Sequence, residues 1–443
     1  MRGRAMRRII FIALWMVLGL SGLYEALSAE EAIPPEENAA TYYNKAFGLM
    51  KDWPSEDAET RARKIIKEGW KEEDKELEEL LKANEPAFEE FRKGLVKEKC
   101  RFISGEITYD TPLPHLKKAR DMARLLMLEA RLYERNGDLE KAITNSLDVI
   151  KLGRDLGQDR ILISKLVDIA IFSISYAALK DLVGSENLTP ALSRITLSRV
   201  MELEERSVSM RETLEGEAAV AKSAVRWTLI DIEEEAATKA EETPLEKTKK
   251  MWRNFLVLKA PNEKKRLTFL VIKQTYRRID EYYGRTISFI EKGDYKAISA
   301  FEDAYWKKIE ERKLTLRDFL RANEKFPELM VDVLFIILLP GTGRSSIYFA
   351  NAQARERFII TTLAVRLFKM EKGRWPEKLD ELVPEYLDEV PLDPFALKPL
   401  RYKKHESKWI IYSIGPDGKD DGGLKKYVPY KTDEGTDLIF EVE

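Results

Sequence analysis

The sequence is poor in the side chains that most often carry disulfides, metal sites and acid–base catalysis. Its 443 residues include one cysteine, Cys100, and two histidines, His115 and His405. A single cysteine excludes an intramolecular disulfide, so Cys100 is either a free thiol or a cross-link between two chains. Two histidines argue against a histidine-rich zinc site and against histidine-dependent catalysis.

An excess of charge of one sign is also lacking. The 75 basic and 77 acidic residues leave a net charge of −2. The chain therefore has no overall basic field to attract phosphates, and no nucleic-acid partner is predicted. Apolar residues make up 44% and charged residues 34% of the chain. This composition is typical of helices that cover a sizeable core and carry solvated outer faces.

Long apolar runs are scarce, and the clearest one lies at the N-terminus. Four arginines within residues 1–8 precede residues 9–24, which carry no charge. This run is shorter than the about 20 residues that a membrane-spanning helix needs. Small residues follow at Ala26, Ser28 and Ala29, as they do at signal-peptide cleavage sites.

The pattern predicts export. Residues 1–29 would be a cleaved signal peptide or a retained membrane anchor; a buried N-terminal helix is a further alternative that leaves the arginines unexplained. The protein is then expected in the periplasm, or anchored in the inner membrane and facing the periplasm. It would contact the membrane through this segment at least transiently.

Helical periodicity dominates residues 38–349, after a polar, proline-bearing linker at 30–37. Asn38 and the pair Thr189–Pro190 are typical helix-start residues. Residues 160–184 are apolar on nearly every side, which is typical of the central helix of a bundle. The segment GTGRSS at 341–346 lacks the lysine and spacing of a phosphate-binding loop, so it is interpreted as a turn.

Residues 113–157 form a helix–Gly–Asp–helix unit that resembles a tetratricopeptide hairpin. The resemblance depends on Ala130, Gly137, Asp138 and Ala142. The sequence shows no second good copy of the unit, and a repeat array needs several stacked copies. The body is therefore predicted to be a multi-helix bundle, solenoid-like in part, with one such hairpin.

Residues 350–443 are predicted to form a separate C-terminal module. A helix ends near Gly373, a short helix follows, and prolines then fix a turn. The runs PLRYKK and WIIYSIG, joined at His405 to Lys408, predict a β-hairpin, and DLIFEVE predicts a last strand. The predicted fold class is mainly α, with a helical body and a small C-terminal α+β module of antiparallel strands.

The module resembles the C-terminal part of type II secretion major pseudopilins over residues 351–423, about one sixth of the chain. The matching residues are Gly373, Pro376, Asp393, Pro394, Pro399, Tyr402, Tyr412, Ser413, Gly415, Asp417 and Gly418. Pseudopilins carry this module directly after a methylated N-terminal helix, whereas here more than 300 residues precede it. No prepilin-peptidase site precedes Ile9. The whole chain also resembles exported proteins of planctomycete-like bacteria, which implies export but no particular activity.

The resemblance implies one candidate metal site, because the last loop of some pseudopilins binds calcium. In GPDGKDDGG the carboxylates of Asp417, Asp420 and Asp421 lie within five residues. Calcium prefers such dense oxygen ligands. The alternative is a solvated turn in which the aspartates bond to nearby backbone. No other cofactor is predicted.

No catalytic motif is apparent, so the sequence favours a non-catalytic scaffold of the cell envelope that binds a protein partner. Two alternatives stay open. The C-terminal module favours a component of a type II secretion or pilus-like system. An enzyme of unrecognised type would require a deep pocket on which titratable side chains converge.

Overall fold

The computed structural model describes residues 33–230, 243–256, 259–311, 326–339, 341–405, 408–423 and 437–442. The predicted signal or anchor at 1–29 lies outside the described residues, as do residues 30–32 of the linker. Helices dominate and a small antiparallel module follows them, so the predicted mainly α fold class is confirmed.

The helices are α1 Ala39–Leu49, α2 Glu56–Glu68, α3 Lys75–Ala83, α4 Glu85–Leu95, α5 His115–Arg135, α6 Leu139–Gly157, α7 Leu162–Gly184, α8 Pro190–Glu205, α9 Met210–Leu229, α10 Pro244–Leu256, α11 Pro261–Ile290, α12 Tyr295–Glu311, α13 Phe326–Leu338 and α14 Thr342–Lys372. A short 3-10 helix, Leu379–Leu382, and the strands β1 Leu392–Asp393, β2 Lys398–Pro399, β3 Arg401–His405, β4 Lys408–Ser413 and β5 Leu438–Val442 complete the described chain.

The predicted helix boundaries in the first half follow from capping side chains. The Asn38 side chain accepts a hydrogen bond from the backbone N–H of Ala40 at the start of α1. Gly137 adopts a φ of 80°, which ends α5 in a left-handed turn. The Asp138 side chain then accepts from the N–H of Lys141 and starts α6. The helix–Gly–Asp–helix hairpin is therefore present, with α5 packed against α6.

Helix α7 lies at the centre of the bundle, as predicted. It packs against α5, α6 and α14. It also contributes side chains to all three hydrophobic cores: Ile171 to the core beneath α1–α6, Leu162 to the core of α9–α13, and Phe172 to the core beneath α8 and α14. By length and composition alone, the stretches Leu162–Gly184 and Phe326–Lys372 could each cross a membrane, yet 56% and 71% of their most apolar windows are buried inside the protein.

The C-terminal module contains two antiparallel sheets, β1–β2 and β3–β4–β5. The predicted hairpin is confirmed, with Tyr402 opposite Ile411 and His405 opposite Lys408. The predicted last strand pairs with β4 through Ile411 and Phe440. Both residues belong to the same core as Phe358 of α14 and Leu147 of α6, so the module and the helical body share one hydrophobic core. The proposed boundary at residue 350 falls inside α14.

The interpretation of GTGRSS as a turn is wrong, because α14 already begins at Thr342. A side chain from α12 caps this helix: Glu302 Oε1 accepts from the backbone N–H of Gly343 at 2.8 Å and from Thr342 Oγ1 at 2.7 Å. The hydroxyl of Tyr282 donates to the same oxygen at 2.7 Å. A carboxylate 40 residues away in sequence thus supplies a cap that the local sequence does not reveal.

Candidate functional site

Four charged side chains meet in the interior where α6, α7 and α14 cross. They are Arg154 of α6, Lys165 and Asp168 of α7, and Glu356 of α14, and each is at most 5% exposed. Arg154 donates to Asp168 Oδ1 at 2.6 Å and to both oxygens of Glu356 at 2.7 Å. Lys165 Nζ donates to Asp168 Oδ2 at 2.8 Å. We call these four residues the ionic quartet.

The quartet also bonds to the end of α8 and the turn that follows it. Arg154 Nε donates to the carbonyl oxygen of Leu203 at 3.1 Å, and Lys165 Nζ donates to Ser207 Oγ at 2.9 Å. Two positive and two negative side chains are thereby paired with each other and with neutral acceptors. Isolated buried charges are costly, and mutual pairing with added hydrogen bonds offsets that cost. The arrangement fixes four segments of the chain relative to one another.

Burial and ion pairing shift the pKa values of the two acids of the quartet in opposite directions. Burial alone would raise the pKa of Asp168, but the adjacent cations Arg154 and Lys165 outweigh it and hold that pKa below its ordinary value. For Glu356, burial dominates and raises the pKa despite the guanidinium of Arg154. Burial also lowers the pKa of Lys165, more than Asp168 raises it.

A groove of about 790 Å³ lies close to the quartet on the surface of the helical body. The segment 98–107, the loop 158–161 and residues 205–220 form its walls. Its apolar lining includes Ile103, Ile107, Val208 and Val220, and charged side chains of both signs surround these residues. Such a mixed, open groove suits an extended peptide with apolar and charged side chains.

One wall of the groove depends on a glycine. Arg160, in the loop between α6 and α7, adopts a φ of 55°, which is unusual for a residue other than glycine. The loop packs so closely on α9 that a Cβ at Gly216 would lie 1.9 Å from the carbonyl oxygen of Arg160. Only glycine permits this approach. Gly216 therefore fixes the distance between the loop and α9.

A buried histidine, His115, lies next to Asp159, which lines the groove. His115 stacks on Phe102, with ring centroids 4.5 Å apart, and its Nε2 lies 3.4 Å from Asp159 Oδ2. Asp159 also accepts a hydrogen bond from Ser164. Cys100 is a buried free thiol near the same wall, and burial raises its pKa, which disfavours thiolate chemistry.

A second cleft, of about 800 Å³, separates the turn between α8 and α9 from the C-terminal module. Glu204, Arg357 and residues 387–392 contribute to its walls. Arg357 spans the cleft, since it donates to Glu204 at 2.6 Å and to the carbonyl oxygen of Leu392 at 2.7 Å. A cavity of about 20 Å³, large enough for one water, lies between this cleft and the quartet.

The three aspartates of the predicted calcium site lie in the loop after β4 and make separate contacts. Asp417 accepts from the backbone N–H of Lys419, and Asp420 pairs with Arg401 at 2.7 Å. Asp421 has one buried carboxylate oxygen that accepts no hydrogen bond within the described chain. Burial alone would raise the pKa of Asp420, but hydrogen bonds from Gly422 and Arg401 lower it.

Across the residues that the structure describes, no group of three or more His, Cys, Asp or Glu side chains has a geometry suited to a metal ion. Residues 424–436 lie outside the described residues. The calcium site at Asp417, Asp420 and Asp421 stays a prediction.

Asp393 connects the motif residues of the C-terminal module. It is fully buried and accepts from Ser413 Oγ at 2.7 Å, from the N–H of Phe395 at 2.9 Å and from the N–H of Ile414 at 3.0 Å. Arg401 donates to its second oxygen at 3.2 Å. Asp393 thus fixes a turn and attaches it to β4. Both of its carboxylate oxygens already accept hydrogen bonds, which favours this structural role over a catalytic one.

Sequence reasoning missed the ionic quartet and both clefts. The quartet joins Arg154 to Glu356 across 202 residues, and no local pattern marks that pairing. The available signal was the pair Lys165 and Asp168 in the largely apolar helix α7. The chain matches no protein-family model, no curated protein and no solved structure.

Proposed function

We propose that this protein is a non-catalytic, exported scaffold of the cell envelope that binds a partner protein in the groove between segment 98–107 and α9. The main support for the proposal is the groove. It is large enough for a peptide segment, and its lining contains isoleucines and valines flanked by acidic and basic side chains. The arginine-rich, apolar N-terminus supports export. The predicted partner segment is extended, with apolar side chains flanked by acidic and basic ones.

The ionic quartet supports a binding role rather than a chemical one. Its charges bond to each other and to nearby neutral groups. They hold α6, α7, the end of α8 and α14 at fixed positions, so the groove wall at residues 205–208 has a rigid support. A preformed groove binds with a smaller loss of conformational entropy than a flexible one.

Site-specific photocrosslinking in the native host tests the proposal. A photoreactive amino acid replaces Ile107 inside the groove and, in a control chain, Ile195, which is 58% exposed on α8 and lies outside the groove. We expect a discrete crosslinked envelope protein from position 107, absent from position 195 and weakened by Gly216→Ala. Equal crosslinking from both positions, or none from position 107, would contradict the proposal.

A second candidate function is a component of a type II secretion or pilus-like system. The observation that favours it is the 2.7 Å hydrogen bond between Ser413 and Asp393, which joins two residues of the pseudopilin-like motif. The module would then dock on other parts of such a system. Deleting the gene in the host should lower the amount of secreted protein. Unchanged secretion, with the protein normally present in the parent strain, would remove this candidate.

A further inference from the structure

The first half of α11 combines a concentration of positive charge with exposed apolar side chains. Residues 261–278 contain six basic residues and one acidic residue, although the whole chain has a net charge of −2. Phe269 and Leu270 are 67% and 41% exposed on this helix. Large side chains exposed side by side are uncommon on a soluble surface unless they meet a partner.

The exposed residues lie on the side of α11 that faces away from the core. Val271, Thr275 and Ile279 recur at intervals of four residues and are fully buried against the core of α9–α13. Lys265, Arg266 and Lys273 are exposed around Phe269 and Leu270. Within the described residues these three cations form no salt bridge. Residues 265–273 therefore form a basic patch with an apolar centre.

We propose that this patch on α11 binds the surface of an anionic lipid bilayer. Lysines and arginines would contact lipid phosphates, while Phe269 and Leu270 would enter the boundary between headgroups and acyl chains. The apolar pair favours a bilayer over a nucleic acid, because phosphate recognition alone gives no role to an exposed phenylalanine next to a leucine. The proposal goes beyond the scaffold function and does not depend on the groove.

A fluorescent label at the patch tests this directly in the full-length chain. The environment-sensitive dye NBD is attached to Leu270→Cys or, as a control, to Ile195→Cys, both in a Cys100→Ala background. Ile195 is a similarly exposed apolar residue on α8. The N-terminal segment is the same in both labelled chains and in the charge-reversed variants below, which separate its membrane affinity from binding through the patch. The probes are vesicles of phosphatidylcholine alone or mixed equally with phosphatidylglycerol.

We expect a blue shift at position 270 with phosphatidylglycerol vesicles, little shift with phosphatidylcholine alone, and loss of the shift at about 0.5 M salt. Reversing Lys265, Arg266 and Lys273 to glutamate should weaken this interaction roughly 100-fold. The matched control reverses Lys64, Lys67 and Lys71, which are exposed on or just after α2, and alters the net charge equally.

Three results would overturn the proposal: no shift at position 270, an equal shift at position 195, or equal weakening by both charge reversals. A shift produced by duplex RNA but not by vesicles would assign the patch to nucleic acid instead. The vesicle assay does not involve export or a protein partner. Its failure is therefore distinguishable from failure of the scaffold proposal.

Discussion

At the scale of single residues, Arg154 contributes most to the pairing of the buried charges. It alone contacts both acids of the ionic quartet, and it is 5% exposed. Removing it would leave Glu356 without its charged partner in the interior, while Asp168 would keep only Lys165. The loss of one member of a buried ion pair is costly because the other charge remains desolvated.

We therefore expect Arg154→Met to lower the free energy of unfolding by about 3–5 kcal/mol. Urea unfolding at pH 7 measures the change. The matched control is Arg194→Met, which removes the pair with Glu371 from a surface where Arg194 is 52% exposed. An exposed pair of this kind contributes about 0–1 kcal/mol. Equal effects of the two substitutions would contradict the role assigned to the quartet.

The difference in unfolding free energy between wild type and Arg154→Met depends on pH through the pKa of Glu356 and the pKa of Asp168. Burial alone would raise the pKa of Asp168, but Arg154 and Lys165 together hold it below the ordinary value of 3.8. The stabilisation from ionised Asp168 is therefore fully present above about pH 4 and is lost as the pH falls through the lowered pKa. The stability gap between wild type and Arg154→Met should narrow as the pH falls, first as Glu356, whose pKa burial raises, takes up a proton, and then below about pH 4 as Asp168 does. A gap that stays constant from pH 7 to pH 2.5 would contradict this account.

The calcium prediction also belongs to single residues. Calcium bound at Asp417, Asp420 and Asp421 should raise the melting temperature, because ligand binding stabilises the folded state by about 2.7 kcal/mol at a hundredfold excess over Kd. Thermal melting with calcium, with magnesium, and with Asp417→Asn and Asp421→Asn combined measures the effect. An unchanged melting temperature would leave the loop as a plain turn.

At the scale of elements, close packing of the loop before α7 against α9 defines one wall of the groove. Gly216→Ala would place a methyl group 1.9 Å from the carbonyl oxygen of Arg160, so the loop or the helix must move. We expect a loss of about 1–3 kcal/mol in the free energy of unfolding, typical of overpacking.

Gly284 of α11 provides the matched control for this substitution. Among the described residues, no atom beyond the adjacent residues and the backbone of α11 itself lies within 4 Å of the position that its Cβ would occupy. Gly284→Ala should stabilise the protein by about 0.5–1 kcal/mol, because alanine has the higher helix propensity. Chemical denaturation of both variants measures the two changes in the free energy of unfolding. Similar effects of the two substitutions would show that the contact with Arg160 does not constrain the loop.

The elements predicted correctly are those whose ends are marked by nearby residues. Gly137 and Asp138 define the junction of α5 and α6, and Gly373 ends α14, because these residue types favour the required backbone conformations locally. The hairpin of β3 and β4 likewise follows from its alternating apolar residues. The start of α14 was missed because its cap, Glu302, lies on another helix.

The candidate site could not be predicted in the same way, since its parts meet only after folding. Lys165 and Asp168 were visible as charges in an apolar helix, but their partners Arg154 and Glu356 lie on two other helices. The groove forms because segment 98–107 packs near α9, and the pattern of apolar residues in the sequence does not predict that packing. Local capping is readable from one sequence, whereas pairing across elements depends on the tertiary arrangement.

At the scale of the whole molecule, the described chain forms one connected interior. Helix α7 contributes to all three hydrophobic cores, and the C-terminal module shares a core with α6, α7 and α14. The module is therefore held by the body rather than attached through a linker. Within the described residues, this architecture places the groove, the second cleft and the basic patch of α11 on one connected body.

Export is the central claim on which the proposed function depends. Fractionation of the native host, followed by N-terminal sequencing of the recovered protein, tests it most directly. We predict that the protein is found in the periplasmic or inner-membrane fraction, either beginning near residue 30 or retaining the segment 1–29 in the membrane. Recovery of the full-length chain from the soluble cytosolic fraction would contradict the claim.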